Sequence, residues 1–314
     1  MELSSRIFVA GHQGMIGSAV VRQLRHKKYK NLLMRNKTQL DLTNLYAVNQ
    51  FFQIEKPEYV VLAAGLTGGI MENQRIPADF LHINLSISLN VLNAAYHHGI
   101  KKLIFLGSSC MYPRYCDQPM TEEMLFSGKP EETSLGTSVS KLAGMQLCIA
   151  YNQQCGKTRF LPLIPNSTYG PYDNFNPATG HVLSVLIHRF HEAKCLNMPA
   201  VELWGSGKPR REFIYVDDVA SACIAVLKHE IKAGDIPINI GVGHDISIFE
   251  LAELIALIVG FTGKITWNTE KPDGALYKRL ESSRIRYLGW APLVALEEGI
   301  RRTYQWYLNN IKEA

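Results

Sequence analysis

The sequence predicts a doubly wound α/β fold, and three features carry that expectation. A short apolar run near the N-terminus passes through a glycine-rich turn into an amphipathic stretch. Further β-like runs alternate with segments of helical periodicity, and the alternation breaks after Gly170. The 314 residues, 46% hydrophobic and 19% charged, suffice for one large domain or two modest ones. That composition excludes disorder, collagen and a minimal disulfide scaffold.

Arg6 to Ala10 forms the first strand, and Gly11, Gly14 and Gly17 lead into a helix through Ala19, Val20, Val21 and Leu24. Missing Cβ atoms let backbone approach a pyrophosphate, and free N–H groups at the helix start face the anion. A purely structural turn uses the same residue type, so spacing alone does not decide. The second run, Asn31–Met34, ends in Arg35, with Asn36 and Lys37 beside it. An NAD site offers a carboxylate to the ribose hydroxyls here. An arginine suits a 2′-phosphate and favours NADP(H), the alternative being a solvated surface side chain. Asp41 is placed to meet an adenine amino group or to cap the helix that follows.

Tyr59–Ala64, Lys102–Leu106 and Arg159–Ile164 continue the alternation, which makes the sheet parallel and the fold Rossmann-type. The Lys102–Leu106 run ends in Gly107-Ser108-Ser109-Cys110-Met111-Tyr112-Pro113, placing hydroxyls and a thiol at a strand's carboxyl end, where such sheets bind ligands. Thr137-Ser138-Val139-Ser140-Lys141 then opens a helix. One turn separates Thr137 from Lys141, so both face one cleft.

After Gly170 the pattern gives way to loops and short strands over Tyr172–His181, Leu183–Ala193, Val201–Trp204 and Glu212–Val216. The expected division is a Rossmann domain over 1–170 that regains roughly 214–240, and a smaller α/β substrate-binding domain over 171–213 and 241–314. Lys208, Arg210 and Arg211, with Lys271, Lys278 and Arg279, offer cations for a diphosphate or form salt-bridged loops. Asp217-Asp218 is read as a helix N-cap, and no metal is expected. The formal charge of +5 is spread along the chain, which argues against a nucleic-acid or membrane surface. No run approaches the ~18 apolar residues of a membrane span, and no long apolar signal core is present; a cytoplasmic protein is expected. The six cysteines show no CxxC pairing, so most are expected to be free thiols.

Seven strings, GHQGMIGSAV, GSSCMYP, YGPYDNFNPATGHV, LIHRFHEAK, WGSGKPRREFIYVDD, INIG and KPDG, resemble in order those of the extended short-chain dehydrogenase/reductases that act on nucleotide sugars. The similarity covers nearly the whole chain and points to the branch using GDP-linked 4-keto-6-deoxy sugars. It implies NADPH-dependent C3/C5 epimerisation and C4 reduction, in deoxysugar synthesis for surface glycans. By the same resemblance Ser108 is the catalytic serine, Lys141 the lysine of a Tyr-x-x-x-Lys pair, and Cys110 and His181 the epimerisation acid/base pair. Gly11, Gly14, Gly17, Arg35, Asp41, Ala63 and Lys141 would hold NADP(H), and Ser108, His181, Trp204, Arg211 and Lys278 the substrate. The segments Asp79–Tyr96 and Leu135–Asn152 look like the pair through which relatives form homodimers.

Read without the resemblance, Cys110 is core filling, His181 an exposed loop residue, Lys141 a solvated helix lysine, and Ser108 a hydroxyl bonded to its strand end. Two departures from the pattern stand out. Gln13 occupies a loop position where relatives often have arginine, and Thr137 occupies the place of the catalytic tyrosine. An aliphatic hydroxyl is a far weaker acid than a phenol with a pKa near 10, and the side chain is shorter. Either water or another group such as Tyr112 supplies the proton, or C4 reduction is weak while epimerisation or an altered stereochemistry persists, or the threonine is an engineered change. A non-catalytic nucleotide-sugar-binding homologue is the reading from outside enzymology.

Overall fold

A computed structural model of the chain describes residues 1–271 and 273–310. Pro272 of the KPDG string and residues 311–314 of the expected substrate half lie outside them.

The first half of the chain alternates as its periodicity predicts: β1 (Ile7–Ala10), α1 (Met15–His26), β2 (Leu32–Leu33), α2 (Leu45–Glu55) and β3 (Tyr59–Leu62). A short α3 (Ile70–Arg75) and a long α4 (Pro77–His97) precede β4 (Lys102–Leu106), α5 (Leu135–Cys155) and β5 (Phe160–Pro165). β6 (Ser167–Tyr169), α6 (Val182–Cys195), β7 (Ala200–Trp204), β8 (Arg210–Arg211) and β9 (Phe213–Tyr215) follow. Next come α7 (Val216–Lys228), β10 (Ile238–Ile240), β11 (Ile246–Ser247) and α8 (Ile248–Val259). The last elements are β12 (Lys264–Asn268), β13 (Tyr277–Lys278), α9 (Ser283–Tyr287) and α10 (Leu296–Asn310).

Among the described residues, six strands form one sheet in the order β2-β1-β3-β4-β5-β10, every neighbouring pair parallel. β1, β3 and β5 are buried along their whole length, as a sheet covered on both faces requires. One face packs α1 and α7 through Ala19, Val20, Leu24, Val219 and Cys223. The other packs α2, α4 and α5 through Phe52, Val91, Leu92, Leu142 and Met145. The strand order reverses between β1 and β3, and the loops leaving those two strands form the crevice where this topology binds ligands.

A third apolar cluster joins α6, α8 and α10 through Leu186, Ile187, Phe190, Leu251, Ile255 and Ile300. Here the sequence reading needs correction. Leu183–Ala193 is not loop or short strand but the body of the 14-residue helix α6. Leu183, Leu186, Ile187, Phe190 and Ala193 are its buried apolar positions, a spacing of three and four that belongs to a helix. Asp217 and Asp218 also depart from expectation. The N-cap of α7 is Tyr215, and both aspartates lie inside the first turn, where carboxylates complement the helix dipole. Asp217 pairs with Arg22 at 2.9 Å, while Asp218 accepts the backbone N–H groups of Leu293 and Val294, each at 3.0 Å. The second aspartate thus ties the α10 approach to α7 rather than capping its own helix.

Candidate active site

The glycine loop is built for close backbone approach. Gly11 has φ +83, a left-handed conformation that favours glycine. A Cβ on it would lie 2.6 Å from Ala64 N and 2.8 Å from the Ala63 carbonyl carbon. A Cβ on Gly17 would lie 2.0 Å from Gly11 O, so α1 meets the loop with no room for a side chain. Gly14, the N-cap of α1, brings no side-chain cap, which leaves the helix N-terminus open to an anion. His12 Nδ1 in the same loop is buried without a hydrogen-bond partner among the described residues. Ala63 N–H bonds Ala10 O at 3.0 Å and carries the end of β3 against this loop.

Arg35 leaves the end of β2 and stacks over Phe51 with 5.7 Å to the ring centroid. It also donates to Glu55 Oε1 at 2.5 Å and to Met34 O at 2.9 Å. Its fork is therefore oriented before any phosphate arrives. Asp41 accepts Thr43 N–H at 2.9 Å and Thr43 Oγ1 at 2.8 Å, and these bonds hold its carboxyl below the usual range. The cap of α2 is Asn44, whose side chain accepts from Ala47 N.

Lys141 lies between the ends of β3 and β4. Its ammonium donates to Leu106 O at 2.8 Å and sits 5.3 Å over the Phe105 ring; a Cβ on Gly65 would be 3.8 Å from it. Burial pulls its pKa down to about 8, against the charge of Cys110. Lys278 is also lowered by burial, and Cys110 is the leading charge that opposes the shift. Cys110 itself lies in a 3-10 turn (Ser109–Met111) capped by Ser108, whose Oγ accepts Cys110 N–H at 3.4 Å. Ser138 of α5 donates to Cys110 O at 2.8 Å, fixing this turn to the lysine helix.

Thr137 is on the same helix, but its hydroxyl is engaged: it donates to Asn73 Oδ1 at 2.6 Å. Tyr112 does not enter the cleft, which corrects the suggestion that its phenol supplies the proton. The residue is 2% exposed, its hydroxyl donates to Asn239 Oδ1 at 2.7 Å, and burial raises its pKa. His181 is exposed at the N-cap of α6. The nearby Asp173 accepts Ser184 Oγ at 2.5 Å, and its pKa is raised by burial against the opposing charge of His181.

The cationic residues divide into two sets. Arg210 is an ion-paired surface arginine, bound to Asp245 and lying 3.4 Å from Glu250. Arg211, beside Lys278 in the β8–β13 pairing, donates to Arg210 O at 2.8 Å and Ala275 O at 2.6 Å. Burial lowers its pKa, against the opposing charges of Glu131 and Asp273. Trp204 is exposed, with the Lys271 ammonium 5.4 Å from its ring centroid. Sequence reasoning missed Glu212, wholly buried beside Arg211. It accepts Asn166 Nδ2 at 2.5 Å, Gly243 N–H at 2.6 Å and Leu280 N–H at 2.8 Å. It thereby joins β8 to the segments carrying Lys278. Its place after two arginines gave no sign of this.

Fold, glycine loop and strand-end site together define a Rossmann-type dinucleotide-binding protein. Residues 7–241 match the NAD dependent epimerase/dehydratase family, and the chain belongs to it. It is 46% identical over 308 residues to GDP-L-fucose synthase 1 of Arabidopsis thaliana, spanning 98% of this chain and 94% of that one. Identity to the GDP-L-fucose synthase of Escherichia coli strain K12 is 43% over 312 residues, 97% of each chain. Among solved structures, the GDP-mannoheptose C4 reductase MlghC of Campylobacter jejuni with NADP bound superposes with a TM-score of 0.90. Identity there is 38%, over 98% of this chain and 99% of that one.

Proposed function

We propose that this protein is an NADPH-dependent enzyme that epimerises and reduces a GDP-linked 4-keto-6-deoxy sugar in nucleotide-sugar biosynthesis for surface glycans. The observation that carries the proposal is the Cys110 turn at the end of β4, bonded through Ser138 Oγ on Cys110 O at 2.8 Å to the helix whose Lys141 donates to Leu106 O at 2.8 Å.

The chemistry follows from the sugar's ketone, which acidifies the protons on C3 and C5. Cys110 and His181 remove and return those protons, and Ser108 and Lys141 stabilise the charge that develops on the C4 oxygen. Gly11, Gly14, Gly17 and Ala63 would hold the pyrophosphate of NADP(H), Arg35 would receive its 2′-phosphate, and Asp41 would meet its adenine amino group. When bound, NADPH supplies the hydride that completes reduction at C4. Arg211 and Lys278 take the diphosphate, and Trp204 offers a ring face to the base or sugar.

Incubation with GDP-4-keto-6-deoxymannose and NADPH in D2O tests this. Deuterium is expected at C3 and C5, together with NADPH oxidation; absence of both, in protein that binds NADPH, would overturn it. The Thr137–Asn73 bond favours a second reading, in which deuterium enters rapidly while C4 reduction lags.

Two copies pair through α4 and α5, whose solvent faces carry Leu81, Leu89, Leu135 and Val139 in exposed positions. Light scattering is expected to give twice the chain mass for the wild type and the single mass for Leu89→Glu/Val139→Glu. A monomeric wild type would refute the pairing. The six free thiols suit the reducing cytoplasm, where we place the reaction. No helix among the described residues is long and apolar enough to cross a membrane.

A further inference from the structure

Thr137 is tied to the loop carrying His181 by a continuous set of bonds. Its hydroxyl donates to Asn73 Oδ1 at 2.6 Å. Asn73 is only 7% exposed, and its Nδ2 donates to Gly68 O at 2.9 Å and Gly69 O at 3.0 Å. Gly69 N–H then donates to Thr179 O at 2.7 Å. A Cβ on Gly69 would come within 2.6 Å of Gly180 O, so the two loops touch backbone to backbone. His181 is the next residue. Its loop is braced from within by Asn174 Nδ2 on Thr179 Oγ1 at 2.9 Å and by Gly180 N–H on Asn176 O at 2.8 Å.

A carboxamide has two N–H donors on one side and an acceptor oxygen on the other. With the donors pinned to adjacent carbonyls, the Asn73 oxygen is turned toward α5, where it needs a donor close to the backbone. A threonine hydroxyl, on Cβ, reaches it; a phenol hydroxyl at the far end of a ring does not occupy that point. Without the donor, a buried carbonyl oxygen is left unpaired, which penalises the closed arrangement.

We infer that Thr137 and Asn73 are a positioning pair that holds the 68–69 loop against the His181 loop, and thereby sets the histidine for proton exchange at C3 and C5. The inference rests on the proposed function for the identity of the reaction, though not for the anchoring. The residue in the family's tyrosine place is thus an anchor for the epimerising half of the site.

The test uses the full chain with Thr137→Val, which keeps the shape and removes the donor, and Thr137→Ser, which keeps the donor. Amide hydrogen exchange is read at Gly69 and over residues 176–181, with the β4 amides as the internal control for folding. Valine is expected to speed exchange at Gly69 about five- to tenfold, the loss of one hydrogen bond, with β4 unchanged. Deuterium wash-in should fall in kcat by a similar factor with KM within about twofold, and serine should rescue both. Wild-type exchange at Gly69 in the valine variant, or no rescue by serine, overturns the inference. If Gly69 responds as expected but the wild type never washes deuterium into the sugar, the anchor stands and the proposed reaction falls.

Discussion

Thr137→Tyr is expected to raise the rate of C4 reduction by about 10²-fold, the lower end of what a positioned general acid contributes. When hydride reaches C4 the oxygen becomes an alkoxide that must be protonated. Position 137 lies one helical turn before Lys141 on α5, so a phenol there stands beside an ammonium group that titrates near 8 and stabilises phenolate. The threonine has neither the acidity nor, with its proton on Asn73, the freedom to act. Tyr112 offers no substitute, being buried with its hydroxyl on Asn239. The gain should fade above about pH 8, as Lys141 loses its proton. The same substitution abandons the Asn73 anchor, so deuterium exchange should slow a fewfold while NADPH oxidation accelerates. Single-turnover NADPH oxidation measures the gain. An unchanged rate would show that this enzyme already has a competent proton route.

The parts of this site legible in the sequence are those encoded by neighbours. Glycine spacing after an apolar run announced β1, the loop and α1, and GSSC marked the turn at a strand end that the structure fixes to the Lys141 helix. Runs such as Lys102–Leu106 coincide with β4 because burial on both faces demands continuous apolar character. What stayed hidden depends on partners far apart in the chain. Arg35 looks like a free phosphate ligand until Glu55, 20 residues on, is seen to hold it. Tyr112 sits among small reactive residues, yet its partner Asn239 is 127 residues away, and only that contact turns it inward. Asn73 lies in MENQR, a segment with nothing to distinguish it, and its importance comes from α5 and the Thr179 loop closing on it. The α6 helix was missed for a different reason: the Gly/Pro/Asn-rich stretch before it masked a periodic pattern that begins at Leu183.

Lys141→Met is expected to slow turnover at least 10²-fold and to stabilise the protein. In the proposed mechanism the ammonium supplies charge at the C4 oxygen, so its loss should cost at least 10²-fold in both exchange and reduction. In the folded chain, however, that ammonium is held against its preference: burial lowers the pKa from 10.5 to about 8. Below about pH 8 both folded and unfolded chains carry the proton, and the folded state bears the whole penalty. Between about 8 and 10.5 the folded chain sheds its proton first, so the penalty fades as pH rises. A shift of this size corresponds to about 3 kcal/mol, and losing the bond to Leu106 O returns about 1 kcal/mol. Methionine, of similar length and without charge, should therefore raise stability at pH 7 by about 2 kcal/mol, an advantage over wild type that shrinks toward pH 10. Denaturant midpoints across that range give the comparison. A methionine variant less stable than wild type at pH 7, or a difference independent of pH, would mean that the lysine is solvated in the free enzyme and that its activation awaits substrate.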